Sequence, residues 1–203
     1  MIGNTVSLSG GGGKLKAEKA ALNLTTKVDS NYKPYNPEEP IGFITMSTNR
    51  PEDAEEDQGS ISLMNCDTNI KVFTDLQNVV FQQGIRAAGT LTVDGGTLKM
   101  NSDDGKPEYS GGSFGVQGND VILKNNAKAD IQLNGNNLVF GLIADNKLDI
   151  SNASANVVID NSEGRFDLKE EKAEVLGIGA MTMDIGVADS TNKVSSKIIN
   201  YDN

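Results

Sequence analysis

The 203-residue sequence contains no histidine, no tryptophan and only one cysteine. Without histidine, the commonest general base is missing, and the usual catalytic triads and most zinc sites are excluded. The lone Cys66 excludes an internal disulfide, and we interpret it as a small buried hydrophobe. No stretch approaches the ~20 consecutive apolar residues of a transmembrane helix. Carboxylates therefore remain as the plausible catalytic groups.

Apolar residues are also scarce, at 37 %, and the net charge is −10. An acidic surface repels phosphate backbones, which argues against nucleic acid as a partner. Glycine contributes 22 residues, and asparagine is abundant. Both residue types accept the left-handed backbone conformations of tight turns, so this composition favours an all-β fold with many turns.

A short internal repeat organises the chain. Each copy has two apolar residues flanking a polar one, then a turn-rich stretch, then a second apolar alternation, as in Leu91-Thr92-Val93 followed by Leu98-Lys99-Met100. Copies start at residues 6, 61, 91, 121, 148 and 181, and the long first step predicts an extra coil that uses residues 22–24 or 44–46. Alternation with a period of two means that one face of each short strand is buried.

A glycine followed by an apolar residue precedes several copies at a nearly constant distance. The pairs are Gly84-Ile85, Gly115-Val116, Gly141-Leu142 and Gly177-Ile178. A repeat of about 30 residues with period-two alternation is typical of a solenoid built from stacked coils. We therefore predict an all-β fold, a parallel right-handed β-helix, with asparagine side chains bonding to one another along the turns. A β-sandwich is the main alternative, since it also has regularly spaced short strands.

The predicted domain organisation is one β-helix domain over residues 1–203, with projecting loops near 31–58 and 101–114. All five prolines fall within these two stretches, outside the repeated strands. Proline cannot donate to a strand ladder, so this placement agrees with the predicted loops. The polar tail from Val187 to Asn203 is expected to complete the last coil through Ile198 and Ile199.

Aromatic side chains in the predicted loops are candidates for sugar binding. Tyr32 and Tyr35 lie in the proline-rich loop, and Tyr109 and Phe114 lie in or next to the second loop. An aromatic ring stacks on the apolar face of a pyranose while nearby amides and carboxylates bind its hydroxyls. The other phenylalanines are predicted to pack in the core or at coil corners; they are Phe43, Phe73, Phe81, Phe140 and Phe166.

Two adjacent carboxylates, Asp103 and Asp104, follow a predicted strand and precede a glycine. Hard oxygen donors in such a turn suit Ca²⁺, so these residues are candidate metal ligands, with a solvated turn as the alternative. The run Gly10 to Lys14 lacks the Gly-Lys-Ser/Thr ending of a phosphate-binding loop and is interpreted as a turn.

The stretch from Gly84 to Leu98 resembles the coil repeat of secreted bacterial β-helix proteins, the carbohydrate-binding, pectate-lyase-like domains. Gly84-Ile85, a short polar link, the strand Leu91-Thr92-Val93, then Gly95-Gly96 and a second strand carry the resemblance. The resemblance implies a right-handed helix, surface localisation, affinity for polysaccharide and Ca²⁺ as a candidate cofactor. No arginine lies in a recognisable lyase motif, so the resemblance does not extend to an active site.

The sequence thus predicts a non-catalytic domain that binds polysaccharide or a cell-surface glycan. The alternatives are a structural or adhesin-type solenoid of a bacterial surface protein and a polysaccharide lyase. The start Met1-Ile2-Gly3 has neither the basic stretch nor the apolar core of a signal peptide. Because the composition is typical of extracellular proteins, we expect an extracellular or cell-surface location with the leader outside this sequence.

Overall fold

The structure, a computed structural model, describes residues 3–28, 41–50, 58–74, 79–104, 112–134, 137–162, 173–186 and 192–200. Within these ranges the chain is all-β, with twelve strands and no helix, and hence no helix fit to cross a bilayer. The strands are β1 (Gly3–Ser9), β2 (Leu15–Glu18), β3 (Ala21–Val28), β4 (Ile41–Ser47), β5 (Ile61–Thr74), β6 (Val79–Asp104), β7 (Gly112–Lys124), β8 (Lys128–Asn134), β9 (Leu138–Ser151), β10 (Ser154–Asp160), β11 (Glu174–Gly186) and β12 (Val194–Ile199).

Every strand pairing among the described residues is parallel. The pairings stack the chain in a solenoid-like manner, so that each stretch of chain lies on the previous one. We number these stretches coils 1 to 6; they span residues 3–28, 41–74, 79–104, 112–134, 138–160 and 174–199. Each coil has a first, a second and a third strand segment. Parallel pairing rejects the β-sandwich, whose strands pair antiparallel.

The predicted repeat is confirmed in its middle copies. Ile61, Leu91, Val121 and Leu148 are paired in one column of successive coils. The first copy is wrong, since Leu15, which pairs with Ile61, starts the equivalent segment instead of residue 6. The alternation recurs within a coil, so pattern alone does not distinguish its segments. The last copy begins at residue 183 rather than 181, since Met183 is the residue that pairs with Leu148.

The glycine-apolar marker keeps its register through the stack. Ile85 pairs with Val116, Val116 with Leu142, and Leu142 with Ile178. The extra coil predicted within the long first step is absent among the described residues. Residues 22–24 lie in coil 1 and residues 44–46 in coil 2, and these two coils already contain residues 6 and 61 and stack directly through the pairing of β1 with β4. The apolar columns of all three segments meet in one continuous core. Cys66 is buried in that core as a free thiol, as predicted.

A column of left-handed residues turns the chain between the second and third segments. Its members are Lys19, Asn65, Gly95, Asn125 and Asn152, whose φ values lie between 49° and 68°. Glycine and asparagine adopt this conformation at the lowest cost, which explains their abundance in the connecting stretches. One asparagine-asparagine bond of the predicted kind forms, from Nδ2 of Asn192 to Oδ1 of Asn152 at 2.8 Å.

The turn of coil 4 is instead linked to coil 3 through a carboxylate. Nδ2 of Asn125 donates to Oδ1 of Asp94 at 2.7 Å, and Nζ of Lys124 lies 3.3 Å from Oδ2 of Asp94. The Asn125 hydrogen bond, with a smaller contribution from Lys124, lowers the pKa of Asp94 from its usual value. The stabilisation from ionised Asp94 is present above the unfolded-state pKa and is lost as the pH falls through the lower folded-state pKa.

We expect Asn125→Gly, which keeps the left-handed turn but removes the amide, to raise the pKa of Asp94 towards its usual value. An NMR titration of the Asp94 carboxyl carbon measures this shift. Asn152→Gly changes the equivalent turn of coil 5 and is expected to leave Asp94 unaffected. An unchanged Asp94 titration in Asn125→Gly would show that the amide does not bind the carboxylate.

The predicted loops are shorter than expected. Residues 41–47, inside the stretch 31–58, form β4, and residues 101–104 and 112–114 belong to β6 and β7. The alternation of residues 44–46 in β4 was recognised, but the prolines and acidic residues on either side dominated the composition and led to the assignment of the whole stretch as a loop. Residues 29–40, 51–57 and 105–111 lie outside the described residues.

Candidate functional site

A groove lies on the outer face of the first segments of coils 3 and 4. It has a volume of about 190 Å³ and is lined by Phe81, Gln83 and Arg86 from β6 and by Phe114 and Gln117 from β7. Ligand pockets for drug-sized molecules have volumes of ~300–1,000 Å³, so this groove fits a single ring-sized group of a larger ligand.

The strand register brings the lining residues of the two coils together. Gln83 pairs with Phe114, and Arg86 pairs with Gln117, although these residues are about 30 positions apart in the chain. Glycines make room for the rings, because a Cβ on Gly42 would lie 2.3 Å from the Phe81 ring and one on Gly112 would lie 2.7 Å from the Phe114 ring. The rings therefore lie low against the sheet.

Three half-buried phenylalanines form a line across coils 3 to 5. The ring centroids of Phe81 and Phe114 are 6.4 Å apart at 74°, and those of Phe114 and Phe140 are 5.5 Å apart at 71°. These are edge-to-face contacts, which are favourable for aromatic pairs and hold each ring in place. The line runs in the stacking direction, across neighbouring coils.

A ladder of hydrogen bonds orients the amides beside the rings. Nε2 of Gln83 donates to Oε1 of Gln117 at 3.1 Å, and Nε2 of Gln117 donates to Oδ1 of Asp145 at 2.9 Å. Because Asp145 accepts, the amide orientation of both glutamines is fixed. Arg86 is exposed, and no carboxylate of the described residues lies within ion-pairing distance of its guanidinium.

The five lining residues supply apolar ring surface, amide groups and one permanent positive charge. None of them is a carboxylate, a thiol or an imidazole. The guanidinium of arginine stays protonated in proteins, so Arg86 donates hydrogen bonds and does not act as a base. This arrangement is suited to binding a polar ring-shaped group, not to proton transfer.

Of the residues predicted to bind sugar, Phe114 lies in the groove. Tyr32, Tyr35 and Tyr109 fall outside the described residues. Phe43 is fully buried, as predicted, and Phe73 is half-buried under Nζ of Lys27, which lies 5.5 Å from the ring centroid.

The prediction for Phe81 and Phe140 was incorrect, because both lie half-buried on the outer face beside Phe114 rather than in the core. The sequence contained a signal that Phe140 is equivalent to Phe114. Phe114 and Phe140 each directly precede a marker glycine, and Gln83 and Leu176 take the same position in coils 3 and 6. These four residues occupy one column of the stack.

The candidate Ca²⁺ ligands lie at the end of a strand, directly before residues 105–111, which fall outside the described residues. Asp103 and Asp104 are the last residues of β6, where their backbones pair with Phe73 and Thr74. Among the described residues, no three acidic, cysteine or histidine side chains are grouped as a metal site.

No family model, no curated protein and no solved structure matches this chain.

Proposed function

We propose that this protein is a non-catalytic domain that binds polysaccharide through the groove between Phe81 and Phe114. The observation that carries the proposal is the line of three half-buried phenylalanine rings beside an oriented amide ladder and an arginine that has no carboxylate partner among the described residues. We further propose an extracellular or cell-surface location, where such polymers occur.

We also propose that the coils wind as a right-handed β-helix. Connections between parallel strands of one sheet are right-handed in about 98 % of cases, which supports this hand. The repeat from Gly84 to Leu98 resembles that of secreted pectate-lyase-like β-helix proteins, which supports both the winding and a polysaccharide ligand.

The groove chemistry suits one sugar ring of a chain that continues along the surface. A pyranose would stack its apolar face on the rings of Phe81 or Phe114. Gln83, Gln117 and Arg86 would then bind its hydroxyl groups, and Arg86 would also bind the carboxylate of a uronate. The phenylalanine line extends beyond the groove to Phe140, so neighbouring sugars would meet further aromatic surface.

The lyase alternative requires a base to remove the proton beside a uronate carboxylate. Arg86 is the cation of the groove and is a poor base, since its guanidinium stays protonated. Incubation with uronate polymers, with and without Ca²⁺, tests this alternative. Formation of an unsaturated uronate product would replace the binding proposal by a lyase.

We expect Phe114→Ala to weaken polysaccharide binding by up to about tenfold, because stacking on an aromatic ring is worth roughly 0.5–1.5 kcal/mol. Binding is measured by pull-down and calorimetry on a panel of neutral and uronate polysaccharides. Phe73→Ala is the matched control, since it removes a half-buried phenylalanine on the third segment of coil 2, outside the groove.

Arg86→Gln distinguishes the two ligand classes. A loss confined to uronate polymers would identify a carboxylate ligand, and an equal loss on neutral polymers would identify hydroxyl recognition. Equal affinity of Phe114→Ala and the unmodified protein, or no binding to any polymer of the panel, would contradict the proposed function.

A further inference from the structure

In the last coil, apolar side chains contact solvent at positions whose equivalents in the preceding coil are buried. Met183 and Ile185 are 41 % and 46 % exposed, whereas Leu148 and Ile150, their partners in coil 5, are fully buried. Ile198 of the third segment is 45 % exposed, although its partner Ile159 is fully buried. These inward columns end at coil 6 without a cover among the described residues.

The first coil has the same feature at the opposite end. Leu15 and Leu24 are only half-buried, whereas their coil 2 partners Ile61 and Ile70 are fully buried. The free edge of coil 1 therefore presents apolar side chains in its second and third segments, at the start of their inward columns.

Both ends of the stack also present unpaired strand edges. Among the described strands, β1, β2 and β3 pair only with the coil that follows, and β11 and β12 pair only with the coil that precedes. Soluble proteins usually protect such edges with proline or with inward-pointing charges. Residues 181–186 contain neither a proline nor a lysine, and their one charged residue, Asp184, occupies the outward column that continues Asp149.

We propose that the last coil of one molecule binds the first coil of a second copy, head to tail, so that the columns continue across the junction. The observed register then assigns the contacts. Leu15 of the second copy follows Met183 in its column, and Leu22 follows Val194. Both pairs place apolar on apolar, whereas Leu24 of the second copy follows Ser196, so the junction is apolar in part.

The same register places opposite charges together at the junction. Lys16 of the second copy follows Asp184 in the outward column. Asp184 already binds Lys147 of its own chain, with Nζ 2.8 Å from Oδ2, and Lys147 is shared with Asp149 at 3.5 Å. The carboxylates of Asp149 and Asp184 therefore share Lys147, and Lys16 of the second copy supplies a second cation.

The distribution of charge along the chain agrees with head-to-tail assembly. Residues 3–28 carry four lysines against one glutamate, although the whole chain has a net charge of −10. The basic first coil of one copy is thus attracted to the acidic remainder of another, which favours their encounter.

Only a head-to-tail junction keeps the strands parallel, as they are at every junction within the chain. Joining two last coils would set their strands antiparallel and would lose the column order. A head-to-tail contact leaves a free edge at each end of the product, so it does not close after two copies. The assembly therefore grows into a series of species, not into a single dimer.

The test is sedimentation velocity of the unmodified chain over a range of concentrations, followed by charge-swap variants. We expect the average mass to rise with concentration through dimers and larger species. Lys16→Asp and Asp184→Lys each create like charges at the junction and should weaken association by about tenfold. Mixing the two variants restores opposite charges at every junction between unlike variants and should restore association as an alternating assembly.

Lys128→Asp makes the same charge change as Lys16→Asp on an exposed residue of coil 4, in the middle of the stack, and should leave association unchanged. Thermal melts of all variants show whether the end coils remain folded; Asp184→Lys also loses its bond to Lys147. A mass that stays monomeric at all concentrations, a limit at the dimer, or no rescue on mixing would overturn the proposal. Polysaccharide binding by the groove does not depend on any of these outcomes.

Discussion

Replacing Gly141 by alanine is expected to lower the free energy of unfolding by about 3 kcal/mol, because the new methyl group has no room. Its carbon would lie 2.3 Å from the carbonyl oxygen of Gly177 and 2.4 Å from Cγ1 of Val157. Gly177 belongs to the next coil, and Val157 belongs to the third segment on the opposite side of the core. A shift that relieves one contact tightens the other, so the coil has to deform.

The glycine at this position recurs in four coils for the same reason. A Cβ on Gly84 would meet the Gly115 carbonyl oxygen at 2.7 Å, and one on Gly115 would meet the Gly141 carbonyl oxygen at 2.4 Å. The missing side chains let the first and third segments approach each other across the core. The recurring glycine-apolar pair in the sequence thus reflects a steric requirement of each coil, in which the first and third segments lie close together.

Chemical denaturation measures the effect of Gly141→Ala. Gly186→Ala is the matched control, since the nearest atom to its new methyl carbon is Oγ of Ser151 at 4.0 Å. We expect the control to change stability by no more than about 0.5 kcal/mol. If the two variants were equally stable, the close approach of the segments at Gly141 would be disproved.

Truncation of Leu148 to alanine is expected to lower the free energy of unfolding by about 3–5 kcal/mol, the range found for fully buried leucines. Leu148 is fully buried between Val121 of coil 4 and Met183 of coil 6, so its removal leaves a cavity that neighbouring coils cannot fill. Coils 4 and 6 both lose apolar contact area in this column, since each coil covers the apolar face of the next.

Met183→Ala tests the same column at its exposed end. Because Met183 is 41 % exposed, its truncation removes less buried surface than that of Leu148. We therefore expect the free energy of unfolding to fall by about 1 kcal/mol. Denaturant unfolding at low protein concentration gives both values for the separate molecule. Equal losses at the two positions would contradict a stack in which coil 5 is covered on both sides and coil 6 on one.

Much of the architecture was readable from residue types. Ile61, Leu91, Val121 and Leu148 were predicted as equivalent strand starts, and the structure pairs them in one column. Their alternation with polar residues reports burial of one face, which is a local property of each strand. The assignment failed for residues 6–8 because that strand has the same alternation but forms a different segment of its coil.

The candidate site was less predictable. Phe114 was singled out as an aromatic beside a loop, but Phe81 and Phe140 were assigned to the core or to coil corners, because phenylalanine is usually buried. In β9, Phe140 lies between buried neighbours, yet its own side chain lies half-buried on the outer face. Single-residue hydrophobicity does not reveal this orientation.

The sequence by itself determined the strands, the left-handed turns at asparagine and glycine, and the approximate period, since each depends on residues close together in the chain. Only the tertiary structure decided which strands lie in which segment, and with that the meeting of Phe81, Phe114 and Phe140 and of Gln83 with Gln117. Those contacts join residues of different coils, and their geometry depends on how far each bulge and connection shifts one coil against the next.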